Sequence, residues 1–206
     1  YSLFERYAVG FTTPEVINAE GSYTLSSIAA SNTGYRINTP QNKEFFMLEN
    51  RQQDQKWNQY VAGHGMLVFR VDSTNANAWE NNTVNSNPNH NYYEMVRAGG
   101  YRNGASASDP FPGTRSVRTL NNTTSPANLL TWTGKETPWG LDNIREQNGK
   151  ITFNVVNVNV LKTITLPSEA SVGLGLGLRL TPECYPDTAP YTLAWTSADE
   201  TVATVS

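Results

Sequence analysis

The chemically capable residues of this chain are two histidines, His64 and His90, together with the oxygen-rich stretch that runs from Asp72 to His90. Hydrolysis at zinc takes three protein ligands and an open position for water, usually beside a carboxylate that acts as base. The two imidazoles stand in separate stretches and neither has a second histidine four positions along. Cys184 is the only cysteine, so a thiolate cluster and an internal disulfide are both excluded. His64 sits between Gly63 and Gly65, where turn chemistry accounts for it, and a Ser-His-Asp arrangement finds no support in loop sequence. The chain by itself is therefore expected to be non-catalytic.

The stretch after Asp72 supplies Ser73, Asn75, Asn77, Glu80, Asn82, Asn85 and Asn87 before it reaches His90. Calcium takes six to eight oxygens from such loops, though the spacing here is not that of an EF-hand. Two readings stay open. In one, Asp72, Asn82, Asn85 and His90 hold calcium. In the other they form a structural polar loop, with the Asn side chains and His90 bonded to backbone groups and Trp79 as a largely buried anchor. Glu49 and Arg51 share one face of a strand and are expected to pair. Trp57, Trp132 and Trp139 fall in loop sequence, where sugar stacking and ordinary packing under a long loop both stay open, whereas Trp79 and Trp195 are assigned to core and Cys184 to a small buried apolar position.

Short runs at 22–28, 34–38, 44–50, 65–72, 92–98 and 150–158 alternate in period two or are rich in β-branched and aromatic residues. Turn residues bound each of them, among them Asn32-Thr33-Gly34, Thr39-Pro40 and Asn148-Gly149. Only short helices fit, over 2–8 and 75–82. The expected class is all-β: a β-sandwich with long loops and short helices. The texture loosens between Gly99 and Gly149 into a long decorated loop region, and a fresh strand begins near Leu161. Domains are accordingly placed at 1–158 and 159–206. Charged residues are only 16% of the chain and the net charge is −3, without a basic run, so nucleic acid is an unsuitable partner. No run of about 18 apolar residues is present to span a membrane. The abrupt opening on Tyr1-Ser2-Leu3-Phe4 reads as a piece of a longer protein.

Five motifs in order resemble the segment that follows the catalytic core in secreted zinc metallopeptidases of the immune inhibitor A type. They are Leu3-Phe4-Glu5-Arg6 with Gly10-Phe11-Thr12-Thr13-Pro14; Glu44 to Gln52; Gly63 to Asp72; the set Trp79, Asn82, Val84, Asn85 and His90; and Asp109 to Gly113 with Asn143-Ile144-Arg145-Glu146. The family often has His where this chain has Arg70, and the family's His-Glu-x-x-His is absent from the chain. The tail is similar to a bacterial Ig-like domain of the second group, through Ile164-Thr165-Leu166, Leu178 to Pro182, Trp195-Thr196-Ser197 and Val202 to Val205. The resemblance implies a non-catalytic ancillary region of a secreted or surface peptidase, a stabilising or orienting domain plus a partial Ig-like spacer, from a Bacteroidetes-type bacterium. Its partner would be its own catalytic domain, which alone would carry zinc. Asp187-Thr188-Ala189 resembles the O-glycosylation acceptor of that group. The alternative is an adhesin or carbohydrate-binding module that meets surface glycans or host proteins.

Overall fold

A computed structural model describes residues 1–54, 56–100, 103–187 and 189–205. The chain divides into two units, 1–157 and 158–206. Thr188 of the glycosylation motif lies outside the described residues.

In chain order the first unit contains α1 (Leu3–Ala8), β1 (Glu15–Val16), β2 (Gly21–Leu25), α2 (Ile28–Ser31), β3 (Tyr35–Asn38), β4 (Glu44–Arg51), β5 (Gly65–Asp72), α3 (Ala76–Glu80), β6 (Tyr93–Val96), β7 (Trp139–Gln147) and β8 (Lys150–Asn157). Strands dominate, and the all-β expectation holds. A five-stranded sheet runs β1-β3-β4-β5-β6, and a three-stranded sheet runs β2-β8-β7.

The larger core lies between the two sheets. Ile37, Phe46, Leu48, Met66 and Val68 face Leu25, Leu141, Ile144, Ile151, Phe153 and Val155 across it, each almost fully buried. Facing sheets that bury alternate residues make a sandwich. Burying each such side chain contributes about 1.5–3 kcal/mol. The other face of the five-stranded sheet carries a second core of Phe45, Met47, Phe69 and Val71 with Leu3 and Ile28. β4 is thus covered on both faces, which is why its apolar run is nearly continuous rather than strictly alternating. Helix α1 starts where Ser2 and Glu5 cap each other, with the Ser2 N–H donating to Glu5 Oε2 at 2.6 Å.

Three expectations are corrected. The strand expected over 22–28 stops at Leu25, and Ile28 opens helix α2 instead. Residues 139–147 are strand β7, not loop; a bulge between Asp142 and Arg145, with Asn143 at φ 53°, shifts the register and brings both Leu141 and Ile144 to the core. The loop stretch before β7 is more than decoration, since Phe111, Leu120 and Leu129 insert into the larger core.

The second unit pairs β9 (Thr163–Thr165) with β10 (Glu183–Tyr185) in antiparallel fashion. No strand forms over 178–182 or 193–197. Trp195 is 40% exposed rather than in a core. Cys184 is a free, half-buried thiol on β10 rather than a buried one. No helix among the described residues is long and apolar enough to cross a membrane.

Candidate functional site

Pairing of β4 with β5 sets Glu44 opposite Asp72 and Phe46 opposite Arg70, and pairing of β5 with β6 sets Arg70 opposite Glu94. Residues two apart on a strand share a face. Glu44, Arg70, Asp72 and Glu94 therefore extend the face that bears Phe46, Leu48 and Val68, at the end where the apolar core runs out.

Asp72 is buried at the end of β5. Its Oδ1 accepts the Thr74 N–H at 2.9 Å and the Thr74 hydroxyl at 2.6 Å, and its Oδ2 lies 2.8 Å from His90 Nε2. Its carbonyl accepts the Trp79 indole N–H at 2.7 Å. Asn75 caps α3 by accepting the Ala78 N–H at 3.3 Å. The loop from 73 to 91 is thus tied to the end of one strand by local polar bonds and one indole. Trp79 is half-buried rather than largely buried, because it packs at the rim of the second core, 5.0 Å from Phe4 and 6.3 Å from Tyr93 between ring centroids. His90 bonds a carboxylate, where a backbone partner was expected.

Of the four proposed calcium ligands, the structure brings Asp72 and His90 together. Asn82 and Asn85 are solvent-exposed, and neither hydrogen-bonds to that pair. Both Asp72 carboxylate oxygens are bonded within the loop, one to Thr74 and the other to His90.

Trp132 stands in the loop before β7 and takes the packing reading rather than the sugar-stacking one. Its ring stacks on His90 with centroids 4.6 Å apart and 19° between planes, and the Arg70 guanidinium lies 4.0 Å over the same indole. Its N–H donates to Glu44 Oε1 at 2.7 Å, and its indole N–H donates to the Asn91 carbonyl at 2.9 Å. Arg70 pairs with Glu94 and donates to the Leu130 carbonyl at 3.0 Å. Trp132 is a structural bridge between strands and loops, so it is removed from the sugar-stacking candidates. Trp139 is removed as well, being on β7 against the larger core. Trp57 remains, 85% exposed, with Tyr60 beside it in sequence at 87%.

Burial raises the Glu44 carboxyl above its ordinary range, the Trp132 amide opposes this, and the nearby Asp72 adds to the rise. A carboxyl raised in the folded state takes up its proton more readily there than in the unfolded chain. Glu44 therefore favours folding most when protonated, and that advantage is lost as pH climbs from the ordinary carboxylate value through the raised one. Glu44→Gln keeps an acceptor for Trp132 and is expected to raise the melting temperature more at pH 7 than at pH 4. An equal shift at both values would rule out this assignment.

A groove of about 960 Å³ opens beside this cluster, lined by Arg70, Asn85, Asn91, Glu94, Pro126 and Leu130 among others. On the opposite face of β5 and β6 lies a second pocket of about 570 Å³, with Leu67, Phe69 and Met95 as its apolar part and Tyr1 and Tyr60 at its rim. Phe69, Tyr93 and Met95 line both. His64 belongs elsewhere: its Nδ1 lies 2.7 Å from Glu146 Oε1 on β7, and the same oxygen accepts from Gln52 at 2.9 Å. The two histidines thus answer to different carboxylates on different sheets. Arg51 pairs with Glu49 at 2.6 Å along one strand, while the other Glu49 oxygen accepts the Leu3 N–H at 2.5 Å and so anchors α1.

Sequence reasoning found Asp72 and His90 but missed Glu44, Arg70 and Glu94 as partners. The signal was present: charged residues interrupt or bound strands that are otherwise apolar on both faces. Compared with known proteins, the chain matches no family model, no curated protein and no solved structure.

Proposed function

We propose that residues 1–157 are the non-catalytic ancillary domain of a secreted or cell-surface metallopeptidase of the immune inhibitor A type, and that residues from 158 onward begin an Ig-like spacer. Its work is to dock on the catalytic domain and steady it, and the zinc and its ligands belong to that other domain. One observation carries the reading. Three of the motifs behind the resemblance come together as one unit: 44–52 and 63–72 contain β4 and β5, paired side by side, and 79–90 fold back onto the end of β5 through Trp79 and His90. Their polar groups are spent on holding one another, as suits a scaffold.

The test is to produce the catalytic region of the parent protein with and without this chain. The expected result is a higher melting temperature and longer-lived casein hydrolysis when the chain is attached, while the chain alone with zinc releases no peptide. Identical stability in both forms, or chelator-sensitive cleavage by the chain alone, would sink the reading. The second reading, a carbohydrate-binding module, draws on exposed Trp57 and Tyr60. Aromatic faces in solvent stack on sugar rings, and a glycan array with Trp57→Ala as control checks it.

A further inference from the structure

We propose that the outer edge of β6 takes up an extended, uncharged peptide segment of a partner protein as a sixth strand of the five-stranded sheet. This goes beyond the ancillary role and does not depend on what the parent protein hydrolyses.

The first support is the direction of the main-chain groups. The Asp72 N–H donates to the Tyr92 carbonyl at 2.8 Å, and the register sets Arg70 opposite Glu94 and Val68 opposite Val96. In an antiparallel pair only alternate residues bond across, so residues 92, 94 and 96 turn toward β5. Tyr93 and Met95 then turn both N–H and C=O outward, and Arg97 turns its N–H the same way. No described group pairs with them. Backbone groups at a partly buried strand are obligatory bonding groups, and a row of them is a template for another strand.

The second support is the shape around that row. All four residues of β6 are half-buried, so the edge lies inside the groove instead of standing out in solvent. Pro126 to Thr131 and the stretch from Asn85 to Asn91 contribute its walls. Proline, lysine and bulge are missing from Tyr93-Glu94-Met95-Val96, and its one charged residue, Glu94, is paired with Arg70. A recessed edge admits a single strand and refuses the edge of a second folded copy, whose own flanking structure would meet the walls first.

The third support is charge. Arg70 is paired with Glu94 and Arg97 with Asp109, so the cations and anions along the groove already neutralise each other. A charged side chain entering it would lose water without gaining a counter-ion. The complementary segment is therefore uncharged, with alternate apolar residues meeting Phe69, Tyr93 and Met95 on one face. Outward N–H and C=O groups at two-residue spacing match an extended peptide main chain, in which affinity comes from backbone bonds and selectivity from alternate side chains.

The experiment pans a phage-displayed library of random heptapeptides on the full chain. The expected result is enrichment of uncharged alternating sequences. The Met95→Pro variant removes an outward N–H and no bond to β5, so it should weaken the selected peptides at least tenfold more than Met95→Ala, which loses the same side chain from the second core but keeps the N–H. Should that variant fold poorly, N-methylation of a selected peptide decides: methyl groups on one parity of its amides should abolish binding and those on the other parity should not. Exchange of the Tyr93, Met95 and Arg97 amides should slow on binding. Failure to enrich any peptide, binding indifferent to methylation parity, or protection confined to other strands would overturn the proposal.

Discussion

Replacing Trp132 with alanine should lower the unfolding free energy of the 1–157 unit by about 3–5 kcal/mol. The indole touches His90 and Arg70, and its N–H fixes the Asn91 carbonyl, so truncation strips a stacking partner from two polar side chains and a donor from the loop. The main-chain bond to Glu44 survives, since it does not involve the side chain. Urea unfolding monitored by circular dichroism gives the number. Trp57→Ala is the control, expected to stay within about 0.5 kcal/mol because an exposed side chain away from such contacts carries little stability. Equal losses for the two variants, or a loss for Trp132→Ala below about 1 kcal/mol, would show that the bridge does not hold the unit together.

The second large effect is expected at Arg51. Glu49 is fully buried, and its carboxylate is balanced by the Arg51 guanidinium through Nε at 2.9 Å and a terminal nitrogen at 2.6 Å. Arg51→Ala leaves that carboxylate with the Leu3 amide as its remaining bonded partner, and an uncompensated buried charge costs about 3–5 kcal/mol. The same Glu49 anchors α1, so the loss should be accompanied by faster amide exchange at Leu3. Arg51→Lys should recover part of the stability through charge alone, without the forked geometry. A neutral Arg51→Ala result would mean that water reaches Glu49.

How far the fold could be read in advance depended on local regularity. β5 was legible over its whole length because Gly65 opens it, apolar residues fill both faces, and Asp72 ends it. β7 was not, because the bulge after Asp142 breaks the period on which strand reading relies, and the neighbouring Trp139-Gly140 looks like a turn. Helix α2 is a single turn whose Ile28 continues the apolar pattern of the preceding strand, so nothing local separates them. In the site, Asp72 and His90 stood out as potential ligands within one oxygen-rich stretch. The bond from Trp132 to Glu44 joins residues 88 positions apart, and only tertiary structure can supply such a pairing. An aromatic residue in loop sequence reads alike whether it meets solvent or, as here, an arginine and a histidine.

The two borders of the five-stranded sheet are unlike. One is β1, two residues long and parallel to β3, and the other is β6, four residues long and antiparallel to β5. Fibres that grow by stacking one sheet onto the next need a donor border and an acceptor border of comparable reach on every copy. With so short a strand at one side, this sheet offers growth in a single direction only. Joining β6 of one copy to β1 of the next would pair no more than two residues of β1, which disfavours an open chain of copies through this sheet.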